Sequence, residues 1–565
     1  MLTKIKLENF KGYKTPTTIP LAPITFLFGP NSAGKSSVFH ALLYLYEILQ
    51  NDWCDVDACS LAPVNLGGFF NILSRHATEQ VIRLSAEFAP SDASSLASRR
   101  HYLFDADEFE TQCDQLGLGL VSPVGEQGAN LTEVAIEIRW SSHARKPYVS
   151  SLNLFFDQGI EDRSPFLSIL TDETLQETVI TNVDFNGRFA FTDRTSFETS
   201  LQGRLLTILQ NTDAAQKNTP IRIPIETSPA GAKPVLGQIL RTSFTRNKKE
   251  AVAKEINAIY RTQSAQHPPD PDLSISLENR WDASRALQQL EGILTSFFTQ
   301  AVVEYLEDLT ATLASMAAIG PMRTVPARNF FPSRRIHPKS WYDGSAGWDA
   351  IFLASEDEFA QISRWMFRLK LGYTLRRNPS TPLSSPSPTF LPSGVLDTIA
   401  LSDLEGNLFS PCDLGIGISQ VVPVIAATST TKVGIVYIEQ PELHLHPALQ
   451  AQLGDLFCAH VEPTSVFVHE RDSDLFYPIR NNNRLFLLET HSEHLLLRIL
   501  RRIRETDDGE LSDLELRLSP NDIAVIYIDN QKGSATAKHL RVDQQGEFID
   551  KWPHGFFTER ADELF

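Results

Sequence analysis

The stretch "ITFLFGPNSAGKSSVFHALLYLYEIL" (24–49) constrains the fold more than any other. The short apolar run "ITFLF" meets Gly29. Gly34, Lys35 and Ser36 then complete G-x-x-x-x-G-K-[ST], and a strongly apolar helix follows. Strand, glycine loop and helix in that order make a phosphate cradle. The glycines let backbone N–H groups close on a β-phosphate, and the helix N-terminus adds positive potential. Lys35 is placed to reach the β- and γ-phosphates, and the Ser36 hydroxyl to ligate Mg²⁺. Asn31 and Ser37 join Gly34, Lys35 and Ser36 as candidate nucleotide-binding residues.

The other half of such a site lies some 400 positions on, in "KVGIVYIEQPELHLHPALQAQLGDLF" (432–457). It reads as a buried strand, an acidic tip and an amphipathic helix. Glu439 at the tip can give a carboxylate to the Mg²⁺ shell. Gln440 stands where a catalytic carboxylate is usual, and an amide accepts no proton. If no other group serves, the missing general base costs on the order of 10²–10⁴ in rate. Glutamine can still orient water, and Glu442 is a candidate substitute base. The wide separation of the two halves predicts one sheet assembled from the two ends of the chain around a large insertion.

Six segments in order carry a family resemblance: "IKLENFKGY", "GPNSAGKSS", "IGPMRTVPARNFF" (319–331), "DLGIGISQVVPVI" (413–425), "IEQPELHLHP" and "LLETHSEHLLLRILRRI" (487–503). The chain resembles ABC-type ATPases of the OLD, RecF and SMC group. The tail "GEFIDKWPHGFFTERADEL" (546–564) resembles that of a bacterial subgroup whose C-terminal segment has no assigned role.

The resemblance implies an α/β fold, an ABC-type P-loop ATPase head split by a β-rich lobe and a helical insertion. ATP and Mg²⁺ would be sandwiched between two copies, giving a homodimer or higher oligomer. The signature role in trans would fall to Gly415, Gly417, Ser419 and Gln420, with Ser419 replacing the usual serine. "LHLHP" would lie at the dimer seam. His491 would be the switch histidine that bonds the γ-phosphate and holds the attacking water, so the candidate catalytic set is Gln440, Glu442 and His491. By analogy with Septu-like phage-defence ATPases, a separate effector, a nuclease, is the expected partner.

Patterning divides the chain into the P-loop half of the head (1–80), a β-rich lobe (81–194), a helical insertion (195–317), the second half of the head (318–520) and a C-terminal segment (521–565). The lobe rests on alternation in "VIRLSAEF" and "VAIEIRW" and on the Asn-Gly turn in "VDFNGRFAF". The insertion rests on helical spacing from Trp281 to Met316. "HPPDPD" (267–272) and "NPSTPLSSPSPTFLPSG" (378–394) read as loops.

A formal net charge of −18 argues against a surface built mainly to neutralise phosphates. Nucleic acid as a partner therefore needs a local basic patch. The candidates are Arg498, Arg501, Arg502 and Arg504 on one helix, and Arg241, Arg246, Lys248 and Lys249 in "RTSFTRNKKE"; a solvated helix face is the preferred reading of these residues. Five scattered cysteines fit a reducing cytoplasm better than a disulfide framework. No apolar run suggests a membrane span or signal peptide.

His444 and His446 lack an evident third metal ligand. Lys11 and Tyr13 are candidates for the adenine side, and Arg323 for a nucleotide contact or a structural ion pair. An OLD-type nuclease would need a Toprim domain after His491. There "AVIYIDN" (524–530) reads as a lone strand with Asp529 and no following D-x-D. A RecF-like DNA-binding ATPase is the other alternative.

Overall fold

The computed structural model describes residues 1–88, 131–156, 165–183, 223–236, 238, 292, 295, 298–327, 332–333, 335–379, 397–430, 433–461, 484–531 and 533–553. Strands β1 (Leu2–Glu8), β2 (Thr17–Pro20) and β3 (Ile24–Phe28) lead into α1 (Lys35–Gln50) and the single turn α2 (Phe69–Ile72). Then come β4 (Ile82–Phe88), β5 (Leu131–Ser141), β6 (Lys146–Phe156), β7 (Leu167–Thr171), β8 (Thr178–Val183) and β9 (Ile223–Pro224). The second half holds α3 (Tyr305–Ala314), β10 (Met316–Ile319), α4 (Ser345–Leu353), α5 (Glu356–Arg368), β11 (Thr374–Pro379), β12 (Asp397–Ser402) and β13 (Leu408–Phe409). It continues with α6 (Ile416–Ser429), β14 (Ile435–Glu439), α7 (Pro447–Cys458), β15 (Leu485–Glu489), α8 (Glu493–Asp507), β16 (Ile523–Gln531) and β17 (Ser534–Leu540).

The central sheet has the order β10-β14-β15-β3-β16-β17, parallel except for β17. Its middle strands are apolar runs because both faces are covered. Strand alternation sends Leu27, Tyr437, Leu487 and Ile526 into a core shared with α1 and α3. Phe26, Phe28, Ile438, Leu488 and Val525 enter a second core with α4 to α8. The two ends of the chain therefore meet side by side, with β3 hydrogen-bonded to β15 on one flank and β16 on the other. The mixed α/β architecture is the one expected.

The domain divisions differ from the structure in three places. β4 to β9 do not form a separate lobe. They continue the antiparallel sheet begun by β2 and β1, in the order β2-β1-β4-β5-β6-β7-β8-β9. β1 pairs on both edges, and Lys4–Glu87 and Lys6–Glu133 ion pairs lace the strands together. Within 195–317, residues 223–236 form β9 and turns, and helix appears at α3 and the π-helical turn Thr299–Glu304 before it. Residues 292, 295 and 298 are also helical, and 316–317 open β10; apart from these, 238 and 315, the other positions, and the Asn-Gly turn, lie outside the described residues.

Nor is "AVIYIDN" a lone strand. β16 lies between β3 and β17, so the head extends past 520. Trp552 of the C-terminal segment packs edge-on to Phe28 and Phe548, with ring centroids 5.5 and 5.2 Å apart. Among the described residues no helix is long and apolar enough to cross a membrane.

Candidate active site

The phosphate loop is shaped by the strands beside it. At Gly29, φ is +139° and an added Cβ would fall 1.9 Å from the carbonyl oxygen of Ile528 in β16, so no side chain fits. Gly34 takes φ +109° at the start of α1, where its carbonyl accepts from the Tyr13 hydroxyl at 3.1 Å. Tyr13 is fully buried, and that bond explains its place better than an adenine contact. Lys11 is likewise engaged, its Nζ 2.7 Å from Nδ1 of His40.

Lys35 is 3% exposed and donates from Nζ to the carbonyls of Gly29 and Pro30, both at 3.0 Å. Burial lowers its pKa, with Glu489 opposing. Asn31 is exposed and Ser36 half-buried, and Ser37 is buried with its N–H on the carbonyl of Gly34 at 3.2 Å.

Two carboxylates stand at the strand tips, where Glu439 of β14 is paired in register with Glu489 of β15. The Ser36 hydroxyl donates to Glu489 Oε2 at 2.9 Å, and Lys35 Nζ lies 3.7 Å from Glu489 Oε1. The Tyr437 hydroxyl lies 3.0 Å from Glu489 Oε2 and 3.2 Å from Glu439 Oε1, and its single proton serves one of them at a time. The Tyr342 hydroxyl reaches Glu439 Oε1 at 3.3 Å. Burial, and then the Glu489 charge, push the Glu439 carboxyl above the usual range; burial and Glu439 push the Tyr342 hydroxyl up to about 12.

Sequence reasoning missed Glu489. An acidic residue ending the apolar run "RLFLL" was the available signal, the same one that singled out Glu439. The donors Ser36, Glu439 and Glu489 are hard oxygens and fit Mg²⁺, which takes one or two carboxylates and fills its shell with phosphate and water oxygens. Among the described residues no group of three or more His, Cys, Asp or Glu is placed to hold a metal ion.

Gln440 follows at φ +46°, its N–H on the carbonyl of Glu489 at 2.7 Å. Glu442, the candidate substitute base, bonds the chain just after β15. Its Oε1 accepts from the N–H of His491 and its Oε2 from the Thr490 hydroxyl, both at 2.8 Å. Those bonds tie the β14 tip to the segment after β15 that carries His491. His491 is half-buried. Burial, then nearby Lys35, lower its pKa and favour the neutral ring.

The signature segment is corrected at two positions. Gly415 caps α6 at the surface, and Gly417 packs under the carbonyl of His444, 3.2 Å from where its Cβ would be. Ser419 and Gln420 lie one turn further into the helix and are buried, so neither can reach a nucleotide in trans. Gln420 donates to the carbonyl of Arg323 at 2.7 Å and accepts its N–H at 3.2 Å.

Arg323 itself is 4% exposed. Its guanidinium donates to the carbonyls of Gly320, Gln420, Glu439 and Gln440 at 3.0–3.3 Å. Burial lowers its pKa to about 10.

The arginine face of α8 is ion-paired. Arg498 and Arg502 share Asp455, Arg501 meets Glu505, and Arg504 meets Glu547. This favours the structural reading over nucleic-acid contact; Arg241, Arg246, Lys248, Lys249 and Arg328 lie outside the described residues.

Residues 1–228 match the family model described as an AAA ATPase domain, and residues 272–498 match the one described as an AAA domain, putative AbiEii toxin, type IV TA system. The P-loop falls in the first match, and the strand-tip acids and His491 fall in the second. These matches indicate an ATPase. Similar solved structures include an Smc head domain with an extended coiled coil, bound to the C-terminal domain of ScpA, from Pyrococcus furiosus. It is 12% identical, covers 100% of this chain and 98% of that one, and has a TM-score of 0.33. An SMC head domain from Thermotoga maritima is 8% identical over 96% and 99% of the two chains, with a TM-score of 0.33. No curated protein sequence matches the chain.

Proposed function

We propose that this ATPase is a slow, Mg²⁺-dependent nucleotide switch in which two copies close over ATP. One observation carries the reading. The groups that would bind nucleotide and metal are gathered at one place, whereas the base position holds Gln440 and the nearest alternative, Glu442, is tied to Thr490 and His491. A site that binds well and lacks a dedicated base keeps its ligand long, which suits a switch better than a motor.

In the closed pair, the N–H groups at Gly415 and Gly417 would face the partner's γ-phosphate. Ile416 beside them is 54% exposed, which supports a contact there. The partner effector and a defence role follow from the resemblance alone, and a nuclease is the first candidate to seek by co-purification. The test is ATP turnover together with mass by light scattering. The reading expects slow hydrolysis above a Lys35→Ala control and an ATP-dependent doubling of mass. Turnover equal to that control overturns the ATPase half, and mass unchanged by ATP overturns the dimer.

A further inference from the structure

The usual arrangement of a P-loop site draws the acid that works with the loop serine from the strand-tip acidic motif, here Glu439. The contacts of this site favour another residue. β15 lies between β14 and β3, so Glu489 is one strand from the P-loop strand and Glu439 is two.

The contacts follow the topology. Ser36 donates to Glu489 at 2.9 Å, and Lys35 stands 3.7 Å from the other oxygen of the same carboxylate. The Tyr437 hydroxyl braces Glu489 from below. Tyr437 is held flat against Phe39 of α1, with ring centroids 3.9 Å apart and planes 9° apart. Glu439 is drawn to the far side, where Tyr342 donates to its carboxylate and Arg323 to its carbonyl.

We propose that Glu489, supplied by the strand leading to the switch histidine, is the carboxylate that works with Ser36 in the Mg²⁺ shell. The serine hydroxyl donates its proton to Glu489, which leaves its oxygen lone pairs for the cation. Glu489 then adds the negative charge that holds the metal against the phosphates. Glu439 is an outer carboxylate, coupled to Glu489 through Tyr437. The proposal rests on the reading that the site binds Mg²⁺ with ATP.

The test compares ATP affinity with and without Mg²⁺ by calorimetry, and Mn²⁺ binding by electron paramagnetic resonance in the presence of a non-hydrolysable ATP analogue. Glu489→Gln preserves shape and an acceptor for Ser36 but removes the charge. Its metal-dependent gain in affinity should fall about 10- to 100-fold, with metal-free ATP affinity equal to or above wild type. Glu489→Asp, which keeps the charge, should fall between. Glu439→Gln should lose clearly less of the gain than Glu489→Gln.

A wild-type metal gain in Glu489→Gln, or a larger loss in Glu439→Gln, overturns the assignment while leaving ATP binding intact. Failure of the wild type to bind ATP with or without metal overturns the underlying reading, and the assignment with it.

Discussion

The guanidinium of Arg323 donates to the main-chain carbonyl of Glu439 at 3.0 Å, and the same group holds the carbonyl of Gln420 at 3.1 Å. One buried side chain thus ties α6, whose N-terminus begins at Gly415, to the strand tip that carries Glu439 and Gln440. Helix α6 and the tip of β14 are parts of one hydrogen-bonded unit.

Removing that side chain takes one donor from each of four carbonyls, at roughly 1 kcal/mol or more each. Arg323→Ala is therefore expected to destabilise the protein by at least about 3 kcal/mol. Arg323→Lys, with one point donor in place of a fork, should recover only part. Chemical denaturation of the three proteins measures this. Equal stability of Arg323→Ala and wild type would contradict the clamp.

At the strand tip, Gln440→Glu puts a proton acceptor at the position that the proposed function assigns to the base. Its kcat should rise on the order of 10² over wild type. An unchanged kcat would mean that the base position does not limit turnover.

Glu442 should give a different signature, because its carboxylate holds Thr490 and the His491 N–H. Glu442→Ala frees Thr490 and His491 and should lower kcat with KM little changed. Glu442→Gln keeps an acceptor oxygen and should restore part of the loss. If the Gln variant is as inactive as the Ala variant, the carboxylate charge itself is needed and the positioning role is wrong.

How much of this was legible in the sequence depends on how local each signal is. The P-loop is written in nine adjacent residues, and its strand, loop and helix appear as expected. Glu489 was not, because its meaning depends on β15 rather than β14 lying next to β3, a fact of sheet order. β16 looked isolated for the same reason: its partner β3 is at the other end of the chain. Ser419 and Gln420 misled because "IGISQVVPVIAATS" is apolar almost all round. Such a helix shows no polar face from which to read which residues point outward.

His40 provides a test of pH dependence. Burial, and then the neighbouring Lys11 ammonium, lower its pKa to about 4 from an ordinary value near 6.5. The unfolded chain therefore takes up a proton at this residue below about pH 6.5, and the folded protein only near pH 4. The contribution to stability is fully present above pH 6.5 and is lost as pH falls toward 4, at most about 3 kcal/mol. His40→Gln should show a shallower loss of denaturation midpoint between pH 7 and 4.5 than wild type. Parallel curves would contradict the buried neutral imidazole.

The central claim is that β3 with its loop and the tips of β14 and β15, from opposite ends of the chain, enclose one Mg²⁺-bound ATP. Calorimetric titration of wild type and Lys35→Ala with ATP in the presence of Mg²⁺ tests it most directly. The account predicts saturable heat at one ATP per chain for wild type and none for Lys35→Ala. A flat wild-type titration, or a Lys35→Ala curve that overlays the wild type, would contradict it.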